Sequence, residues 1–408
     1  MLCRETSKPG DKVPRFNIPI YLIAAVRTPI GKFGGGLSSL TAVELGTASA
    51  RETLARSGID PTAVDEAIFG NARQAGVGPN PGRQIAIRSG LRHEAPAYTV
   101  NQACGSGLRA IMNAADQIRL GQASVVLAGG TESMSNTPYM LPRARWGYRM
   151  GDAEVVDGMY RDGFLCPLAD ELMGATAETL ADRYNISRVE QDAYAVETQR
   201  RAGVAYEQGR FRDEIVPVTV KGRKGDVVID KDEHPRFDAD LASLAKLPSV
   251  FRKNGTVHAG NSSGVTDGAS SMLVASAEAV KRHGLAPMGR IVGYAQAGVD
   301  PKIMGIGPVP ATQMLLADTG VSLDDVDLIE LNEAFAAQVL ACDRELHLDR
   351  EKVNVHGGAI ALGHPIGATG ARITTTLLHA LASHNKRLGL ATLCISGGMG
   401  IAMLVEKV

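Results

Sequence analysis

The segments ACGSGLRAI (Ala103–Ile111) and HPIGATGARI (His364–Ile373) lie far apart in the chain and read alike: each is a Gly-rich turn opening a helix that carries an Arg–apolar pair. Two further pairs follow the same order. IDPTAVDEAIFGNA (Ile59–Ala72) and VSLDDVDLIELNEAF (Val321–Phe335) are each a turn with an Asp-containing approach to a strand. VVLAGGTES (Val125–Ser133) and LCISGGMG (Leu393–Gly400) are each an apolar strand running into a Gly-Gly turn. Paired landmarks in one order indicate a duplicated α/β unit. Around them, short apolar runs (Ile20–Val26, Val125–Ala128, Leu388–Ile395) alternate with amphipathic stretches (Ala42–Ser57, Leu108–Leu120, Gly370–Ser383), the pattern of an α/β protein with buried sheets.

From about Ser135 to Thr266 the repeat is broken by a region richer in charge and turns, with RKGD at Arg223–Asp226 and DKDEHPR at Asp230–Arg236. It reads as an insertion, and long insertions in α/β enzymes often form lids or ligand-binding loops. The expected organisation is an N-terminal extension (1–18), a first half (19–134, completed by about 250–285), an inserted loop domain (135–249) and a second half (286–408).

The chain has 408 residues, 44% of them hydrophobic, enough for a large core and about two or three domain-sized units. Lysine plus arginine (43) nearly balances aspartate plus glutamate (44), which gives no electrostatic reason to expect nucleic acid or a membrane surface as partner. The five cysteines (Cys3, Cys104, Cys166, Cys342, Cys394) show no CxxC spacing, so zinc-ribbon and redox-pair readings lack support, no metal is expected, and the reduced cytoplasm is the simplest compartment. The polar start MLCRETSKPGDKVPRFNIP has no apolar core of signal-peptide length, and no apolar run is long enough to span a bilayer.

Four segments carry chemistry. Most cysteines are small core hydrophobes. Cys104 differs because Gly-Ser-Gly and a helix follow it, which sets the sulfur near a helix N-terminus that favours thiolate and leaves room for a bulky thioester. In GGAIALGHPIGATGAR (Gly357–Arg372), His364 sits between Gly363 and Pro365 in a turn that exposes the ring, as a general base requires. Cys394 ends a buried strand before Gly397-Gly398, and on its own reads as a core cysteine. In LNEAFA (Leu331–Ala336), Asn332 is either an N-cap or an amide that orders a water.

These four segments, in this order, resemble the thiolase family over nearly the whole chain, from about Tyr21 to Val408. HAGNSSGVTDGA (His258–Ala269), RFDADLASLAK (Arg236–Lys246) and GVDPKIMGIGPVPA (Gly298–Ala311) resemble segments of the biosynthetic acetoacetyl-CoA thiolases. The resemblance implies duplicated halves in a layered αβαβα arrangement. It also implies a reversible ping-pong condensation of two acetyl-CoA to acetoacetyl-CoA plus CoA, with no permanently bound cofactor and CoA and acyl-CoA as substrates. By motif, Cys104 is the acyl-accepting nucleophile, His364 takes its proton and Cys394 is the second acid/base. Asn332 holds a water that shares an oxyanion with His364, and the backbone N–H groups of Cys104 and Ser396 form a second donor set. Ser396 stands where many members have glycine. Coenzyme A would meet Arg236, Ser243, Ala259, Ser263 and Met173, and the acyl pocket would be walled by Met173, Met304, Ala334 and Phe335. Leu172 replaces a histidine found in several short-chain members, whereas Met173 and Met304 match residues that narrow the pocket. A short-chain enzyme is therefore expected, with a broader 3-ketoacyl-CoA thiolase as the alternative. PRARWGYRMGD (Pro142–Asp152) resembles the loop that pairs dimers, so a homotetramer is expected. A ketoacyl synthase would lack a counterpart to Cys394. A thioester hydrolase or a non-catalytic acyl-CoA-binding protein would not need both sulfurs.

Overall fold

The computed structural model describes residues 18–223 and 225–408, so Cys3 and nearly all of the N-terminal extension lie outside the described residues. The first half opens with strand β1 (Ile20–Arg27) and helix α1 (Ala42–Ser57). Thr41 caps α1: its hydroxyl accepts from the Glu44 N–H, the Glu44 carboxylate accepts from the Thr41 N–H, and Gly58 stops the helix at φ 71°. There follow β2 (Glu66–Gly70), α2 (Pro81–Arg88), β3 (Ala97–Val100), α3 (Ser106–Arg119) and β4 (Val125–Ser133). The chain then leaves the sheet through α4 (Met173–Arg183) and α5 (Arg188–Glu207), and returns to it in β5 (Thr266–Ser276). The second half comprises β6 (Pro287–Gly298), α6 (Pro308–Thr319), β7 (Leu328–Leu331), α7 (Ala336–Leu346), α8 (Ile366–Ser383), β8 (Leu388–Ile395) and β9 (Met399–Lys407).

The strand order is β7-β8-β9-β6-β1-β5-β4-β2-β3. In the first half β1 pairs antiparallel with β5, β5 antiparallel with β4, and β4 parallel with β2. In the second half β6 pairs antiparallel with β9, β9 antiparallel with β8, and β8 parallel with β7. The same sequence of pairings occurs twice, joined where β1 meets β6, so the duplication expected from the paired segments is a property of the fold.

Helices α3 and α8 lie against each other between the halves, and α8 packs on β4 and β5 from one side and on β7 and β8 from the other. Helices α1 and α2 cover the outer face of the first half, and α6 covers β6 and β9 of the second. Helix–sheet–helix–sheet–helix layering results, with the central apolar core built from α3, α8 and the inner faces of both halves. Strand β4 is buried on both faces, which is why VVLAGGTES reads as a continuous run and not as an alternation. Where α3 and α8 cross, glycines from the two copies of the repeat meet. A Cβ on Gly370 would lie 2.2 Å from the Leu108 nitrogen, and one on Gly107 would lie 2.8 Å from the Ala371 nitrogen. This close crossing brings the N-terminal ends of both helices, with the turns that precede them, into one region.

The insertion is fastened to the first half by a buried cation. Arg27 donates to Glu214 at 2.5 Å and to both Asp232 oxygens at 2.7 and 2.9 Å, with all three side chains out of solvent. Removing one member would strand a buried charge and cost about 3–5 kcal/mol.

Candidate active site

Cys104 directly precedes Gly105, the N-cap of α3. Its turn is held by short local bonds. Ser106 Oγ accepts from the Gln102 N–H at 2.9 Å and donates to the Ala103 carbonyl at 2.6 Å, and Asn101 Oδ1 accepts from the Ala103 N–H at 3.0 Å. Ala103 sits at φ 45°, a left-handed conformation that an alanine rarely adopts. The backbone N–H groups of Ser396 and of Cys104 lie near the Cys104 sulfur and favour its thiolate. Burial pushes the thiol up; the Ser396 N–H and the nearby Arg73 charge pull the other way and leave it above its ordinary value. A free thiol so placed stays protonated at neutral pH and needs a base.

His364 lies in the turn before α8. Its Nδ1 is 2.6 Å from Thr369 Oγ1, and that hydroxyl is 3.0 Å from the Pro365 carbonyl, to which it donates. The hydroxyl can then only accept from the ring, so Nδ1 carries the proton and Nε2 holds the lone pair. Nε2 is buried and has no partner among the described residues. Burial first, then the charges of Arg372 and Arg73, push the imidazole down to about 3.

Cys394 is the penultimate residue of β8 and fully buried. Burial, then the proximity of Cys104, raises its thiol well above the ordinary range. After it the chain reverses through Gly397 and Gly398 at φ 88° and 86°, conformations that favour glycine, and this turn brings the Ser396 N–H near the Cys104 sulfur.

Cys104, His364, Cys394 and Ser396 share the wall of one cavity of about 380 Å³. Met173, Met304, Ala334, Phe335, Ala259 and Ser263 line it too. Leu172 is on this wall, where it presents an apolar surface. Asn332 does not line the cavity. It is buried, and neither its Nδ2 nor its Oδ1 has a partner among the described residues. That arrangement fits an amide awaiting a water better than an N-cap, since α7 is capped by Phe335. Arg236 and Ser243 are exposed on the insertion and lie off the cavity wall. Ser243 sits in a small capping box with Asp240, and the Arg236 N–H donates to Gln199.

Three residues of this region were given no role by the sequence, although Thr369 and Glu132 lie within two of the paired segments. Thr369 orients the base. Glu132, fully buried at the end of β4, accepts from the N–H groups of Ala72, Arg73 and Gly367 and from the Asn71 amide, so one carboxylate ties the turn after β2 to the start of α8. Arg73 reaches the cavity wall from that same turn. Its only signal in the sequence is a cation placed just after an apolar strand. Glu333, neighbour of Asn332, serves a comparable structural purpose: it accepts from Tyr194, Thr198, Asn354 and the Ile360 N–H. Among the described residues no group of His, Cys, Asp and Glu is placed to hold a metal, and no helix is long and apolar enough to cross a membrane.

Two family descriptions match the chain: "Thiolase, N-terminal domain" over residues 20–278 and "Thiolase, C-terminal domain" over residues 285–407. An Escherichia coli (strain K12) protein named acetyl-CoA acetyltransferase is 51% identical over 387 residues, which span 95% of this chain and 98% of that one. The crystal structure of the Bacillus anthracis acetyl-CoA acetyltransferase is similar at a TM-score of 0.94 and 48% identity, covering 96% of this chain and 99% of the other. The human mitochondrial 3-ketoacyl-CoA thiolase, solved in complex with CoA, gives a TM-score of 0.93 at 44% identity over 96% of this chain and 98% of its own.

Proposed function

The chain belongs to the thiolase family, and on that premise we propose that it is an acetyl-CoA C-acetyltransferase, joining two acetyl-CoA reversibly into acetoacetyl-CoA and CoA. The observation that carries the reading is the meeting of two free sulfurs and an imidazole with a bare, unpartnered Nε2 on one cavity.

The chemistry divides among them. His364 Nε2 takes the Cys104 proton as the sulfur attacks the thioester carbonyl, and returns it to the departing CoA sulfur. Because burial makes imidazolium costly here, this transfer is coupled to charge developing on the thioester oxygen. The N–H groups of Cys104 and Ser396, near the sulfur, stand where the oxygen of an acyl group on Cys104 would be received. For the second half-reaction His364 Nε2 takes the Cys394 proton, and the N–H so formed, with a water held by Asn332, donates to the oxygen of the incoming acetyl-CoA. The Cys394 thiolate so formed removes a proton from the methyl of that second acetyl-CoA, the carbanion attacks acetyl-Cys104, and the Cys104 thiolate released takes the proton back from His364.

Met173 and Met304, buried in the wall, support a short acyl group. The apolar Leu172 is the one feature that favours the broader 3-ketoacyl-CoA reading. The insertion, 135–249, is assigned to CoA and to assembly. Arg236 and Ser243, exposed on that insertion, are assigned to the polar end of CoA, and the exposed Trp146 (86%) and Met150 (96%) support a tetramer. The place of action assigned is the cytoplasm. Purified protein mixed with acetoacetyl-CoA and CoA tests the reading: acetyl-CoA is expected at twice the acetoacetyl-CoA consumed, and folded protein that produces none would overturn it.

A further inference from the structure

Arg73 is buried, 6% exposed, and lines the same cavity as Cys104. Its Nε and Nη2 have no hydrogen-bond partner, and no carboxylate lies within ion-pair distance of it, among the described residues. The buried Glu132 carboxylate feels the Arg73 charge, but no side-chain hydrogen bond joins them, and its oxygens receive backbone N–H groups from Ala72, Arg73 and Gly367. What the guanidinium does touch is apolar or small. It lies 5.8 Å from the Phe164 ring centre, and Gly163 leaves it room, since a Cβ there would meet Nη2 at 2.0 Å. Arginine cannot shed its proton to escape burial, so one whose fork has no hydrogen-bonded acid is costly to fold around. An acetyl group gives it nothing to bind. Its planar fork matches a carboxylate.

We propose that Arg73 is a receptor for a carboxylate at the far end of the acyl group, so that the cavity accepts carboxylate-terminated 3-oxoacyl-CoA esters. The inference rests on the thiolase reading. In thiolysis the Cys104 sulfur attacks the 3-oxo carbon and the C2–C3 bond breaks. Its electron pair goes to C2, which takes the Cys394 proton and leaves as acetyl-CoA, while the Cys104 proton, taken up by His364, passes on to the Cys394 sulfur. The half that stays on Cys104 is the half bearing the carboxylate, and Arg73 lies on the Cys104 side of the cavity, near enough for its charge to act on that sulfur. CoA then attacks the acyl-Cys104 carbonyl, its proton passes to the Cys104 sulfur through His364, and the free carboxylate leaves with the new thioester.

The test compares 3-oxoadipyl-CoA with 3-oxohexanoyl-CoA, matched in carbon count and differing only in the terminal carboxylate. Acetoacetyl-CoA is run beside them. Wild-type protein is expected to show a kcat/KM at least about 10-fold higher for the carboxylate ester. In Arg73→Leu that ratio falls to about one or below, chiefly through KM, while Arg73→Lys keeps part of it. Because Arg73→Leu also removes the cation beside the buried Glu132 carboxylate, its melting temperature is compared with that of Arg73→Lys, which keeps the charge. Cleavage of acetoacetyl-CoA with a wild-type ratio of one or less would overturn this inference and leave the thiolase reading standing. A ratio unchanged in Arg73→Leu, with both esters slowed equally, would overturn it too and make Arg73 a modulator of the Cys104 sulfur. Failure to cleave any of the three esters would overturn both.

Discussion

Replacing Thr369 by valine isolates what fixes the His364 ring. The threonine hydroxyl lies 2.6 Å from Nδ1 and gives its own proton to the Pro365 carbonyl. Valine keeps the shape and deletes the acceptor. The Nδ1–H is then buried without a partner, a penalty of about 1–3 kcal/mol. Turning the ring to its other tautomer relieves that penalty but puts the proton on Nε2, where the lone pair is needed. Since about 1.4 kcal/mol is a factor of ten, kcat/KM for acetoacetyl-CoA thiolysis is expected to fall by roughly 10–100-fold. Thr369→Ser restores the hydroxyl and is expected to stay within about 3-fold of wild type. Steady-state kinetics read the rate, and NMR on histidine labelled at its ring nitrogens reads the tautomer. Wild-type rates in folded Thr369→Val, or an Nε2 that stays bare in it, would refute the assignment of Thr369 as the positioning residue.

Two further outcomes follow from packing and charge. Gly370→Ala puts a methyl 2.2 Å from the Leu108 nitrogen at the crossing of α3 and α8, so a loss of at least about 3 kcal/mol in a urea titration is expected, and an unmoved midpoint would contradict the packing described. Burial and the neighbouring His384 push His356 down to about 3 in the folded state. Between about pH 6.5 and that value the unfolded chain binds a proton the folded chain does not, so this residue lowers stability as pH falls, on the order of 1 kcal/mol per pH unit. Glu330, raised to about 8 by burial, acts in the opposite sense. The clean measurement is therefore the difference between wild type and His356→Gln: the variant is expected to lose less stability from pH 7 to about pH 5, and parallel curves would reject the assignment.

What the sequence disclosed was what local pattern encodes. The three paired segments map onto β2 and β7, onto α3 and α8, and onto β4 and β8, because turn glycines and apolar strands are written in consecutive residues. Cys104 and His364 were legible for the same reason, each sitting in a Gly-flanked turn, whereas Cys394, inside the end of β8, reads alone as a core cysteine and gained its role only through the family resemblance; all three meet on one cavity. Thr369 was not: it lies in the same segment as His364, but a threonine in the first turn of a helix has no distinctive signal, and it becomes the ring's partner only through the fold of the Pro365 turn. Glu132 and Arg73 were missed because a lone charge at a strand end is usually solvated, and their burial is decided by α8 arriving from the other half of the chain. The contacts expected for coenzyme A divide by the same logic. Ala259 and Ser263 belong to a turn locked against Ala334 and reach the cavity, whereas Arg236 and Ser243 sit out on the insertion, where sequence alone does not set the distance to the sulfurs.

The central claim is that Cys104 carries the acyl group and Cys394 moves the proton. Intact-mass and peptide mapping after brief exposure to acetyl-CoA, on wild type and on Cys394→Ala, tests it most directly. The expected result is an acetyl group on the peptide holding Cys104 in both proteins, with acetoacetyl-CoA formed by wild type alone. Acetylation found on Cys394 in place of Cys104, or acetoacetyl-CoA formed at the wild-type rate by Cys394→Ala, would contradict it.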